Sequence, residues 1–464
     1  MRLRFLALAS SLVGLASAPV LHSQTPRATG AGDGFTLALA GDSIITRRLT
    51  VDEDPGFRPL VDLVRGADAA FTNFEMLLHD FEPYPQAQSG GTWMRGDPEL
   101  AKELAWMGFD MVSRANNHAG DYSVEAQRLT TKYIEEAGLV QAGVGENLEE
   151  ARAAHFLDTP KGRIAIISVA STFTAHSRAG SARGPIRGRP GLNPLRFTTT
   201  YQVPPDRLEA LRGIMRDLHL NPPASGSDLR FLNNRFVASD HPGVRTEPVA
   251  TDVEAIAAVV RNASRLADRV MVTIHAHEGL PGDRTQPAEF LVAFAHAMID
   301  AGADIFVGHG PHVVRGIEIY KGKPILYSVG NFIFENDLVF EQPADAYEQV
   351  KLGPLAGVAD FDDARSNHDT RSFPADRDMW QSMIATVRWR GKALEDITLH
   401  PIALGFGRPR IERGRPTVAD SALAKAVIDE VAERSKPFGT GVVFENGLGR
   451  VVIPAATSSA RQDR

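Results

Sequence analysis

The sequence predicts a fold of the α/β (α+β) class, in which a largely parallel or mixed sheet is covered by helices. Three observations carry this. Short apolar runs alternate with stretches of helical periodicity, several of those runs end in Asp, Asn or His, and 464 residues with 43% hydrophobic and 23% charged side chains suffice for a large buried core. Parallel neighbours need crossover connections, and the helical stretches supply them.

In order, FTLALA (35–40) reads as a strand, 57–65 as a helix, AAFTNFE (69–75) as a strand and DPELAKELAWMG (97–108) as a helix closed by glycine. FDMVSRANN (109–117) is the next strand with its exit loop, a helix over 123–137 stops at Gly138, and RIAIISVAS (163–171) is a further strand. Residues 174–250 break the rhythm with many Pro, Gly, Arg and Asn residues around one amphipathic helix near 205–218. They read as an insertion or lid over the site, the alternative being a disordered surface loop. The alternation resumes with a helix (252–266), a strand (269–276), a helix (287–301), a strand (304–308) and a hairpin-like stretch (314–334). Strands SMIATVRW and ALEDITLHPIAL and a closing helix near 418–435 belong to a C-terminal part, 336–455, expected to pack on the same domain as 35–335, with 456–464 as a flexible tail.

Residues 1–23 place Arg2 and Arg4 ahead of a short apolar run and small residues, the layout of a signal peptide, so the chain is expected to be exported, in the periplasm, outside the cell or on its envelope. A retained anchor is the competing reading; Pro19, His22 and the shortness of the run speak against it. Residues 24–34 read as a linker. There is no cysteine, so a metal site has only nitrogen and oxygen donors to draw on. Losing the leader removes two arginines and no acid, taking the formal charge from −7 to −9 and arguing against a nucleic-acid partner.

Polar residues cluster where the apolar runs end: Asp42, Asn73 with Glu75, Asn117 with His118, His275 with His277, and His309 with His312. In open α/β sheets such ends converge on one rim, where ligands bind. Each cluster alone is as well explained by a cap, a turn or a structural histidine. Recurrence at five strand ends makes a site. The mixture of imidazole, carboxylate and carboxamide suits Mn, Fe or Zn better than calcium, and its size suits one or two ions. Tyr327, Ser328 and Asn331 either line this site beside His312 or, from Ser328 to Asn331, form a tight turn between strands, which is the favoured reading. No Gly-x-Ser-x-Gly elbow and no phosphate-binding G-x-x-x-x-G-K-[ST] loop is present.

The blocks AGDSII (40–45), TNFEMLL (72–78), RANNHAGDY (114–122), RPGLNPLR (189–196), TIHAHEG (273–279) and GHGPHVVRGIEIYKGKPILYSVGNFIF (308–334) resemble the bacterial capsule-synthesis CapA (poly-γ-glutamate) family over about 35–335. The resemblance implies a metallophosphoesterase-like two-layer β-sandwich flanked by helices, with a metal centre. It implies metal ligands at Asp42, at Glu75 or Asn73, and at Asn117, His275, His309 and His312. His118 is implied as the group serving the leaving oxygen, with Asp121 and His277 orienting their neighbours. The chain departs from the phosphoesterase pattern at Ile44, in its Asn-x-Glu cluster, in the spacing of His309 and His312, and at His277.

Three functions follow as expectations: a metal-dependent hydrolase of phosphoester type in capsule or envelope metabolism, a binding or export factor for an anionic polymer such as poly-γ-glutamate, and a metal-dependent amidase on that polymer. Association with a membrane-bound polymer synthase is implied. Arg47, Arg48, Arg95 and Arg114 are candidate anion contacts, the plainer reading being solvated surface arginines.

Overall fold

The computed structural model describes residues 34–454. The expected signal peptide, the linker up to residue 33 and the tail lie outside these residues.

Two sheets face each other. The first runs in the order Val442–Glu445, Leu448–Val451, Ala393–Ala403, Gln381–Arg390, Gly34–Ile44, Ala69–Phe74, Met111–Ser113, Val140–Ala142, and Asn331–Phe334 also pairs with Gly34–Ile44. Its centre is parallel and its C-terminal strands are antiparallel. The second runs Ile317–Tyr320, Lys323–Leu326, Ile305–His309, Arg269–His275, Gly162–Ala170, His155–Thr159. The expected single alternation is thus split between two layers, an α/β architecture in which a β-sandwich is flanked by helices.

Strand alternation explains the layering. Leu37, Leu39 and Phe71 of the first sheet meet Ile164, Ile166, Met271, Ile305 and Val307 of the second in one buried inter-sheet core. The intervening Ala38, Ala40 and Ala70 face outward onto helices Arg58–Arg65 and Leu100–Met107. On the other side Ala165, Ile167, Val270, Val272 and Phe306 pack under helices Ala250–Ala263 and Glu289–Ala301. Strands covered on both faces must be apolar throughout, which is why they read as continuous runs. Ile428 and Val431 of the closing helix Ser421–Ser435 join the edge of the inter-sheet core.

The insertion is ordered. Phe197–Val203, Asp228–Phe231, Asn234–Ala238 and Gly243–Pro248 form a four-stranded sheet with helix Pro205–Asp217, around Leu208, Met215 and Leu229. It docks on helix Glu289–Ala301: Phe197 stacks on Phe290 with ring centroids 4.2 Å apart, and Arg245 pairs with Glu289. The surface-loop alternative is therefore corrected: the segment has apolar residues enough for a small core of its own.

Candidate metal centre

The site lies on the rim where the parallel strands of both sheets end. Gly34–Ile44 carries Asp42, and its pairing with Ala69–Phe74 slips between Leu39 and Asp42, an irregularity that re-aims side chains beside a site. Gly41 permits the close crossing there. A Cβ on it would lie 1.7 Å from the Gly330 carbonyl oxygen, the atom that accepts the Asp42 amide at 3.0 Å.

Around Asp42 the first sheet supplies acids and amides. Asn73 donates from Nδ2 to Asp42 Oδ1 (2.8 Å), and Gly310 donates its amide to Asp42 Oδ2 (3.0 Å). Asn116 donates to Asn73 Oδ1 (3.4 Å) and to the Phe74 carbonyl (2.8 Å). The second sheet supplies imidazoles. His275 and His309 Nδ1 lie 3.7 and 3.4 Å from Asp42 Oδ1, and His312 Nδ1 lies 3.4 Å from Asp42 Oδ2. Glu75 Oε1 is 3.7 Å from both His275 Nε2 and His312 Nε2. His309 turns its Nε2 to Thr273 Oγ1 (2.9 Å), leaving Nδ1 toward Asp42. His312 holds a left-handed backbone (φ 60°), a strain sustained by its surroundings, and its Nδ1 is 2.8 Å from Asn331 Oδ1.

Among the described residues, three groups of donors within 4.8 Å of one another could hold a metal ion: Asp42, His275 and His309; Glu75, His275 and His277; and Asp42, Glu75 and His312. Two features fit these residues to a cation. Both Glu75 carboxylate oxygens are buried with no hydrogen-bond partner, a costly state for an acid unless something positive satisfies it. Imidazole nitrogens also converge, His275 Nδ1 on His309 Nδ1 at 3.2 Å and His275 Nε2 on His277 Nε2 at 3.0 Å. Two nitrogens each about 2.1 Å from a shared ion stand roughly 3.0–3.4 Å apart.

Electrostatics agree. Burial alone would raise the Asp42 carboxyl, but His309, His312 and His275 outweigh it and hold that group well below the ordinary range. Burial and then the Asp42 charge push Glu75 well above it. Two acids this close resist joint ionisation without a cation. Burial lowers His275 well below the usual imidazole range and takes His277 to about 3, so both present neutral nitrogens.

His118 donates from Nδ1 to Asp121 Oδ2 (2.6 Å), and its Nε2 stands 3.9 Å from Glu75 Oε1. Asp121 also accepts the amides of Gly90 and Met94, both at 2.9 Å. A Ser-Gly-Gly loop thereby wraps the His118 turn, and Gly90 is needed because a Cβ there would lie 2.4 Å from the Asn117 carbonyl oxygen.

Of the residues singled out in sequence, Asp42, Asn73, Glu75, His118, Asp121, His275, His277, His309 and His312 form one connected cluster. Asn117 donates its amide to the Gly90 carbonyl (2.9 Å), and its Oδ1 is buried without a partner. The residue that ties this turn to Asn73 is its neighbour Asn116. The turn at 328–331 exists, Ser328 Oγ accepting the Gly330 amide at 3.1 Å, but Asn331 also reaches His312. Three of the four candidate anion contacts are not solvated surface arginines. Arg47 pairs with Glu335, Arg95 is buried against Asp80 and Phe81, and Arg114 is buried against Gln141, its pKa lowered to about 9 by burial.

The family model of the bacterial capsule synthesis protein PGA_cap matches residues 36–336. The chain belongs to this family. Relatives of this PGA_cap-family chain include uncharacterized protein y4sH of Sinorhizobium fredii, 37% identical over 91% of this chain and 94% of that protein. Capsule biosynthesis protein CapA of Bacillus anthracis is 26% identical over 69% of this chain and 63% of its own length. A probable polyglutamine synthesis accessory protein of Mycobacterium tuberculosis is 27% identical over 79% and 73%. A solved hypothetical protein from Thermus thermophilus covers 79% of this chain and 98% of its own at 13% identity and a TM-score of 0.35, too slight a likeness to bear on the fold.

Proposed function

We propose that this PGA_cap-family protein is an exported, metal-dependent hydrolase of phosphoester type acting in capsule or envelope polymer metabolism. The observation that carries it is the pair of buried acids, Asp42 and Glu75, facing four imidazoles with both Glu75 oxygens unpartnered. Asp42, Glu75, His275, His309 and His312 would hold one or two Mn, Fe or Zn ions, with His277 at the edge of the set. When bound, such an ion acts as a Lewis acid and lowers the pKa of water. The chain's own part is to fix those donors and to hold His118, oriented by Asp121, for proton delivery to a leaving oxygen. The relatives' names, which speak of capsule and PGA biosynthesis, support the capsule part of this reading, and among the described residues no helix is long and apolar enough to cross a membrane.

A second reading is a binding or export factor for an anionic polymer, working beside a membrane-bound synthase. It is favoured by the relatives' names, which say biosynthesis or accessory and none of which says hydrolase. Elemental analysis of protein purified without chelator separates the two. One or two ions per chain, lost in Asp42→Asn and His309→Ala, together with turnover of a phosphomonoester or phosphodiester, support the hydrolase. Turnover of γ-glutamyl amides alone points to an amidase, and no metal with no uptake on titration leaves the binding factor. Amino-terminal sequencing of the protein recovered outside the cytoplasm tests export.

A further inference from the structure

Residues 174–196 contain five arginines, one histidine and no acid, in a chain whose formal charge is negative. The segment is rooted at the candidate metal centre. Ser171 donates its amide to the His275 carbonyl (3.0 Å), His176 Nε2 meets the Gly120 carbonyl (3.3 Å), and a Cβ on Gly120 would lie 2.5 Å from that of Ser177. Its return leg is tied to the same rim, Asn193 donating to the Gly143 carbonyl at 2.9 Å.

Between these roots the chain rises as a hairpin. Gly180 and Arg189 exchange backbone hydrogen bonds, as do Arg183 and Ile186, around a two-residue turn in which Gly184 takes φ +57° ahead of Pro185. Gly188 lies against Asn147, where an added Cβ would be 2.6 Å from the Asn147 Cβ. By alternation Arg187 and Arg189 turn to the other, outer face, across from the small Ala182 and Gly180, and about 7 Å apart along the strand. Arg183, Arg187 and Arg189 are exposed, and among the described residues none of them, nor Arg178, is in an ion pair. Arg187 acts on Glu146 only at longer range, since Glu146 is paired with Arg128.

Arginines held on a hairpin outside any ion pair, with the neighbouring Glu146 taken by Arg128 and Glu149 hydrogen-bonded to Ser181, form a local positive field on a negative molecule. We propose that the hairpin 178–189 is the docking surface for a flexible polycarboxylate chain, which it gathers and passes along the rim between the roots at Gly120 and His275. The inference rests on the anionic-polymer part of the proposed function and adds the surface that recognises it. Guanidinium groups suit it because they bind carboxylates through two parallel hydrogen bonds.

The test is the affinity of the full chain for labelled poly-γ-glutamate at two salt concentrations, with polyphosphate and single-stranded DNA as comparison probes. In R183E/R187E, affinity is expected to fall at least about tenfold, as two attractive contacts become repulsive, and the salt dependence to flatten. R183K/R187K retains most of the binding. Metal content, melting temperature and turnover of p-nitrophenyl phosphate stay at wild-type values in both, which separates docking from folding and chemistry. Unchanged affinity in R183E/R187E, no wild-type binding of poly-γ-glutamate, or equal binding of polyphosphate and DNA overturns the inference. A protein without metal whose polymer affinity still collapses in R183E/R187E retains the docking surface and loses the hydrolase. Intact metal and turnover with unmoved polymer affinity does the reverse.

Discussion

The two sheets contribute different chemistry to the same rim. The first provides Asp42, Asn73, Glu75 and the His118–Asp121 pair; the second provides His275, His277, His309 and His312. Acids gathered on one strand edge would repel each other, and imidazoles alone would bind a cation without compensating its charge. The site is therefore a property of the seam.

That division is most sharply broken from the acid side. Asp42→Asn removes a carboxylate shared by two of the three donor groups, so metal content should fall to near background and any hydrolytic rate by about a thousandfold or more, read by elemental analysis and initial rates. His309→Ala, its counterpart from the second sheet, should lose most of the metal while leaving Asp42 its bonds from Asn73 and Gly310; equal retention of metal in both variants would refute a seam site. Glu75→Gln sharpens the contrast by moving two observables in opposite directions. With no hydrogen bond to lose and the cost of keeping a buried carboxyl protonated removed, the metal-free variant should be more stable than the metal-free wild type by about 1–3 kcal/mol in denaturant unfolding at neutral pH, while metal affinity drops. Asp121→Asn should lower kcat by about ten- to a hundredfold with metal content unchanged, because it disturbs the orientation of His118 and the loop around it but removes none of the candidate metal donors.

The smallest effect lies away from the seam. Burial, offset by Arg410 and reinforced by Asp337, raises Asp362 to about 7. Its unfolded value is about 4, so the folded state keeps the proton longer and stability declines as pH rises between those values, levelling above the upper one. Asp362→Asn should abolish that slope, seen as a melting temperature a few degrees above wild type at pH 8, with the gap narrowing through pH 5 and closing below about pH 4.

Much of this was legible in the sequence because a strand buried on both faces is dominated by apolar residues until it reaches the rim, where the first Asp, Glu or His announces itself. Asp42, Glu75, His275 and His309 are marked in that way. The assignment of strands to two sheets was not legible from periodicity, since a run such as RIAIISVAS reads alike in either layer; the family resemblance implied two layers but not which strand joins which. Asn116 was passed over for Asn117 because adjacent residues in a turn point in different directions that only coordinates reveal. The Ser-Gly-Gly loop carried a signal in its paired glycines, but its partner at Asp121 is distant in sequence. Arg114 read as a surface residue because charge normally implies exposure, and its burial depends on contacts with Gln141 that spacing does not encode.

Asn331 touches both halves: its backbone stands in register with Asp42, and its side chain meets His312. It opens a four-residue strand that leaves the second layer and threads into the first, so a short stretch of chain links the layer of His312 to the acid that imidazole faces. Parting the layers would drag this stitch out of its ladder, which couples the spacing of the donors to the integrity of the sandwich. Selectivity of the proposed centre among ions of different radius would then be governed by the stiffness of the whole scaffold, and a change far out in the inter-sheet core, such as at Trp389, would retune which metal is preferred without touching a candidate ligand.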